Sequence, residues 1–278
     1  KADCGVAVEL SEATAKGENG GELTLTGETS IKDLQTDGSP QVNGNLSIGA
    51  ATTGAGSLAV TGNLTLTGDT NAFGSLNVTG SVNSAGTINL TGAADTESSI
   101  GTLSGASITS TNAHKLTLTG ASSMMSNLSL AEGSTLTLAS GAALTVDSVS
   151  GGRIDVTLAD GLNATSSQLT LGGLTSGATI NFTDATKDTF DTLFAAGASS
   201  VVLAQLTSGA QIDGSLLLDG QTSLATSDGN LYKVVVGTNS IYVYYAHSGL
   251  IWDSAGASES WQLAGAWDGD SAAPSAGD

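Results

Sequence analysis

The sequence predicts an all-β fold: a parallel β-helix (β-solenoid) with a small C-terminal α+β or antiparallel β cap. Three observations carry that prediction. A short apolar-polar-apolar phrase, often ending in Thr-Gly, recurs along the chain. Its copies fall at regular intervals. The composition, with 38 Gly, 2 Pro, 12% charged and 4% aromatic residues in 278, suits short strands and turns. A sustained helical period of 3.6 residues is absent.

Residues 1–20 read as an N-terminal cap or lead-in strand, and 21–183 as the β-helix. Leu23-Thr24-Leu25-Thr26-Gly27 is the first clear phrase. Leu46-Ser47-Ile48-Gly49, Leu58-Ala59-Val60-Thr61-Gly62, Leu64-Thr65-Leu66-Thr67-Gly68 and Leu76-Asn77-Val78-Thr79-Gly80 follow. Later copies include Ile88-Asn89-Leu90, Leu116-Thr117-Leu118, Leu136-Thr137-Leu138, Ile154-Asp155-Val156 and Ile180-Asn181-Phe182. Alternation with period two marks a strand with one buried face. Leu, Ile and Val point inward, while Thr, Ser and Asn coat the outside, where β-branched Thr suits the pleat. The glycines after the phrases, such as Gly68 and Gly80, are expected to turn corners at positive φ.

Spacing selects the architecture. Leu46, Leu58, Leu64, Leu76 and Ile88 fall on a six-residue grid, and Leu128, Leu136 and Leu144 step by eight. Two or three such strands make a coil of roughly 18 to 24 residues, within the repeat range of solenoids. No strand buries its face alone, so equivalent strands stack into parallel ladders around one core. Most junctions lack the Asn-Gly or Asp-Gly pairs that an antiparallel sandwich requires.

Composition shifts near residue 182. Of eleven aromatic residues only Phe73 precedes Phe182. Residues 184–250 read as the cap. Residues 184–196 form the best helical window, with Asp184 as cap and Phe190, Leu193 and Phe194 on one face. Several strands follow, with turns at Asp228-Gly229 and at 237–240. Residues 251–278 form a Trp-containing tail or the start of a next repeat.

Charge excludes some functions. The 26 acidic and 7 basic residues give a net −19. Nucleic-acid binding needs basic groups to neutralise phosphates, and an anionic membrane surface needs the same. No run approaches the ~18 apolar residues of a membrane helix, so no membrane contact is expected within this segment. Disorder is rejected for most of the length, because the 39% hydrophobic residues recur in order. The single cysteine, Cys4, excludes an intrachain disulfide. The chain begins without Met and reads as a segment of a longer protein.

The tail carries a family resemblance. Ile251-Trp252-Asp253, Trp261, Ala266-Trp267-Asp268-Gly269-Asp270 and Pro274-Ser275-Ala276-Gly277-Asp278 resemble the start of autotransporter-associated β-strand repeats. Ala266 stands where Asn is usual. With the phrases of residues 20–185, the chain resembles a bacterial autotransporter-type passenger. That resemblance implies a right-handed helix, export, and display at the bacterial cell surface through outer-membrane parts that lie outside this segment.

The expected function is therefore a non-catalytic extracellular structural or adhesive module, a rigid rod. Expected partners are a further copy through the chain ends, or a host glycan or other cell-surface partner. The alternative is a carbohydrate-active β-helix protein. For that reading the candidates are Asp147, Asp155 and Asp160 beside Arg153, the only arginine. Asp155 is expected on the outer face, solvated. His114 reads as a turn residue and His247 as a strand end, with no metal-ligand spacing and no cofactor. No Gly-x-Ser-x-Gly motif is present. Tyr242, Tyr244, Trp252, Trp261 and Trp267 are candidate ligand or partner contacts, with Tyr245 on the opposite face of its strand.

Overall fold

The computed structural model describes residues 2–3, 8–15, 24–26, 29–36, 41–49, 52–53, 56–158, 168–185, 187–195, 198, 200–225, 231–246, 251–252 and 267–268. Stacked parallel strands form a β-solenoid. Three ladders run along it. The first joins Gln41–Asn43, Ser57–Val60, Ser75–Ser84, Thr96–Ser104, His114–Leu118, Thr135–Leu138, Arg153–Thr157, Thr179–Thr183 and Ser215–Leu218. The second runs from Val8–Ala15 through Thr29–Thr36, Leu46–Ile48 and Leu64–Leu66 to Leu144–Ser150, Leu169–Leu174 and Val201–Ile212. Thr70–Phe73, Thr87–Leu90 and Ser107–Ser110 belong to the third.

Alternation does what the phrase predicts. Leu64-Thr65-Leu66 and Leu136-Thr137-Leu138 bury both leucines, with the threonine between them half-exposed. Inward residues stack in columns: Val42, Val60, Val78, Ile100, Leu118, Leu138, Val156, Phe182 and Leu218 are successive register partners in the first ladder, all buried. Each such side chain contributes ~1.5–3 kcal/mol by leaving water. The steps between them are not uniform. Val60 to Val78 is 18 residues, Val78 to Ile100 is 22, Ile100 to Leu118 is 18 and Leu118 to Leu138 is 20. Most of the extra residues lie between the paired strands, and Ser75–Ser84 shifts register against Thr96–Ser104 between Val78 and Ser81.

The glycines correct one expectation. Neither Gly68 nor Gly80 has a positive φ. Gly62, Gly80, Gly101 and Gly120 instead stack above Gly44 at one corner, and a Cβ on any of the four would overlap the carbonyl oxygen of the glycine in the preceding coil. Gly62 donates its N–H to Gly44 at 3.0 Å and Gly80 to Gly62 at 3.1 Å. The residue is glycine because two backbones pass too close for a side chain. Beside this column Asn45 Oδ1 accepts from the N–H of Asn63 at 2.7 Å, and Asn63 Oδ1 from that of Ser81 at 2.8 Å. The corner's backbone donors are thereby satisfied.

Parallel pairing continues past residue 183, where the composition changes. Val201–Ile212 pairs in parallel with Leu169–Leu174, and Ser215–Leu218 with Thr179–Thr183. On its other edge Val201–Ile212 pairs antiparallel with Ser240–Ala246, which pairs with Leu231–Val236, and that strand with Ser223–Ala225. One strand thus ends the second ladder and starts an antiparallel sheet that covers its open edge. The 237–240 turn is closed by Gly237 N–H to Ser240 O at 2.8 Å. Asp228-Gly229 lies outside the described residues.

The helix is Lys187–Ala195. It starts after Asp184, which sits in a turn at φ 57° and does not cap it directly. Phe190 is fully buried, with Leu193 and Phe194 packed against the core. Phe190 and Phe194 lie 5.3 and 5.4 Å from the Tyr232 ring, and Tyr245 lies 5.2 Å from it.

Candidate functional site

The outward rows of the first ladder bring polar and charged side chains of successive coils together. Register places Ala59, Asn77, Ser99, Thr117, Thr137, Asp155 and Asn181 side by side, one per coil. The neighbouring row holds Glu97, Lys115, Thr135, Arg153 and Thr179. A hollow of about 470 Å³ lies over these rows, with Asn77, Ser99, Thr117, Lys115, Thr137 and Arg153 in its lining. Lys115 Nζ pairs with Asp95 at 3.0 Å, a contact that holds its pKa above the ordinary lysine value.

Asp155 departs from its expected place. It faces outward from the core, as the alternation predicts, but it is covered rather than solvated. Arg153 donates to Oδ2 at 2.7 Å and the Asn181 amide to Oδ1 at 2.9 Å. Asn181 Oδ1 accepts in turn from Gly220 N–H at 2.7 Å. The cause is the turn after Ser215–Leu218, which folds over the row and brings a backbone donor to Asn181. Both carboxylate oxygens of Asp155 are engaged, and burial of the charge is compensated by the guanidinium. Asp147 is exposed, on the strand Leu144–Ser150 of the other ladders. Asp160 lies outside the described residues.

His114 is a second departure. It opens the strand His114–Leu118 rather than a turn, and it is 1% exposed. Period two explains it: Leu118, Leu116 and His114 all face inward. Its Nε2 lies 2.8 Å from Ser98 Oγ, which also accepts from Leu76 N–H at 2.9 Å. The His114 N–H donates to Ser134 Oγ at 3.0 Å, and Ser134 Oγ is 2.8 Å from Ser110 Oγ. Nδ1 is buried with no hydrogen-bond partner among the described residues. Burial pushes the imidazole pKa below its ordinary value.

Tyr242 and Tyr244 are half-buried on the outer face of the cap sheet, next to Val235 and Lys233 in register. Tyr245 lies on the inner face, 6.0 Å from the Phe194 ring. Trp252 and Trp267 are backbone partners in a two-residue antiparallel pairing of Ile251–Trp252 with Trp267–Asp268. Trp261, His247 and Cys4 lie outside the described residues. The structure thus brings Tyr242 and Tyr244 onto one face and joins the strands of Trp252 and Trp267.

The residues around the hollow escape a reading by phrase, because unequal coil lengths hide which positions are neighbours. Among the described residues no three His, Cys, Asp or Glu side chains converge to hold a metal ion, and no helix is long and apolar enough to cross a membrane. No family model matches the chain, and no curated protein or solved structure matches it significantly.

Proposed function

We propose that the chain is a rigid, non-catalytic rod module of a secreted bacterial protein, displayed at the cell surface, where it spaces or presents adhesive parts. The observation that carries the reading is the unbroken first ladder from Val42 to Leu218, with an apolar inside and a mainly Ser/Thr/Asn outside. Eight steps of ~4.8 Å give a column of about 38 Å. Length and stiffness follow from stacking without any reactive group. The autotransporter-like tail supports export, and the net −19 supports solubility of a large β-surface.

Ala2–Asp3 and Val8–Ala15 each pair on one side only among the described residues. Contact between copies through this end belongs to the same proposal.

The test is antibody labelling of intact cells of the source organism with serum raised against the folded chain, alongside small-angle scattering of the purified chain. Labelling without permeabilisation and a scattering profile elongated along one axis are expected. Labelling only after permeabilisation would sink surface display, and an isotropic profile would sink the rod.

A further inference from the structure

The hollow over the first ladder is part of a longer trough. A second hollow of about 260 Å³ shares Asn77 and Ser99 with it, and a third of about 580 Å³ shares Thr135 and Arg153. The second overlaps the first on the coils of Asn77 and Ser99, and the third adjoins it at the turns that precede Thr135 and Arg153. The floor is a column of side chains, Asn77, Ser99, Thr117 and Thr137, repeating once per coil. Strand spacing sets that repeat at ~4.8 Å.

We propose that this trough binds a linear, neutral polysaccharide lying along the solenoid axis, with about one sugar ring per coil. The chemistry of the floor selects hydroxyl groups. Amide and hydroxyl side chains both donate and accept, as sugar hydroxyls do. Every floor strand is paired on both sides, so no free backbone edge is offered to an extended peptide. The two cations in the trough are matched within the protein: Lys115 pairs with Asp95, and Arg153 with Asp155. With Glu97 also present and a net −19 overall, a polyanion is repelled. The periodicity favours a polymer over a single sugar, since each added ring meets an equivalent set of groups one coil further on. This binding does not depend on where the protein is displayed.

The test is isothermal titration of the full chain with cello-, xylo-, manno-, laminari- and chito-oligosaccharides of two to six rings, and with hexagalacturonate. At least one neutral series is expected to bind, with affinity rising from dimer towards hexamer. Thr117→Arg, which fills the floor, is expected to weaken that hexamer at least tenfold. Thr109→Arg, outward on the third ladder, is expected to leave it unchanged. Ser99→Arg serves if Thr117→Arg loses its circular dichroism spectrum. Absence of binding by all five neutral hexamers overturns the proposal, whatever the variants do. So does stronger binding of hexagalacturonate, or an unchanged affinity in a folded floor variant. Scattering on the unliganded chain tests the rod separately.

Discussion

Gly80 donates its backbone N–H to the carbonyl of Gly62 at 3.1 Å, and a hydrogen atom is the only side chain that permits it. The obstacle to anything larger is backbone, which has no rotamer to move. Gly80→Ala is therefore expected to destabilise the fold by ~1–3 kcal/mol, as overpacking does. Thr79→Ala, exposed one residue earlier, should change it by less than ~0.5 kcal/mol. Urea denaturation followed by circular dichroism checks both. Equal midpoints for the two variants would refute the close-approach account.

The buried His114, with its pKa lowered by desolvation, predicts an acid-sensitive fold. Its folded pKa lies below the ordinary 6.5, so the unfolded chain takes up the proton first. The stability associated with the neutral ring is present above pH 6.5 and is lost as pH falls from there through the lowered folded value. The difference in unfolding free energy between wild type and His114→Gln should shift in the variant's favour as pH falls from 7 to 5. Carboxylate titrations are common to both and cancel. A difference that stays constant with pH would show that folding does not lower the His114 pKa.

Asp155 is expected to be a structural anchor of three successive coils. Asp155→Ala leaves the Arg153 guanidinium and the covered Asn181 amide without their acceptor, at a cost of ~1–3 kcal/mol. Hydrogen exchange should speed at Gly220 N–H, whose acceptor Asn181 then loses its own support. Unchanged exchange there would separate the turn from the Asp155 network.

The aromatic cluster ties the helix to the cap sheet. Tyr232 donates to Asp191 Oδ1, and burial with that contact raises the phenol pKa above its ordinary value. Tyr232→Phe keeps the ring contacts and should cost ~1 kcal/mol. Tyr232→Ala removes a buried ring and should cost ~3–5 kcal/mol. Thermal melts of the two variants check the order.

Much of this was legible in the sequence. Leu64-Thr65-Leu66 announces its strand, its buried face and its repeat, because alternation is local. The steps of 18, 22, 18 and 20 residues are not local. They decide that Asn77 lies beside Ser99, and no property of Asn77 itself says so. His114 was in phase with Leu116 and Leu118, yet its polarity suggested a turn. Three serines, Ser98, Ser110 and Ser134, line the place where its ring or backbone is received. The aromatic shift near residue 182 marks the end of the Leu/Thr phrase. It does not mark the end of parallel pairing, because Val201–Ile212 serves the solenoid with one edge and the cap with the other.

The hydrogen bonds between coils, such as that from Gly80 to Gly62, point along the long axis. Tension applied through the two ends therefore loads them in the direction in which they break, and an end coil peels before its neighbours share the strain. A sideways push loads many coils together. The molecule should yield to steady pulling in coil-sized increments, at a force set by one coil rather than by the whole. A tether built this way lengthens before it fails.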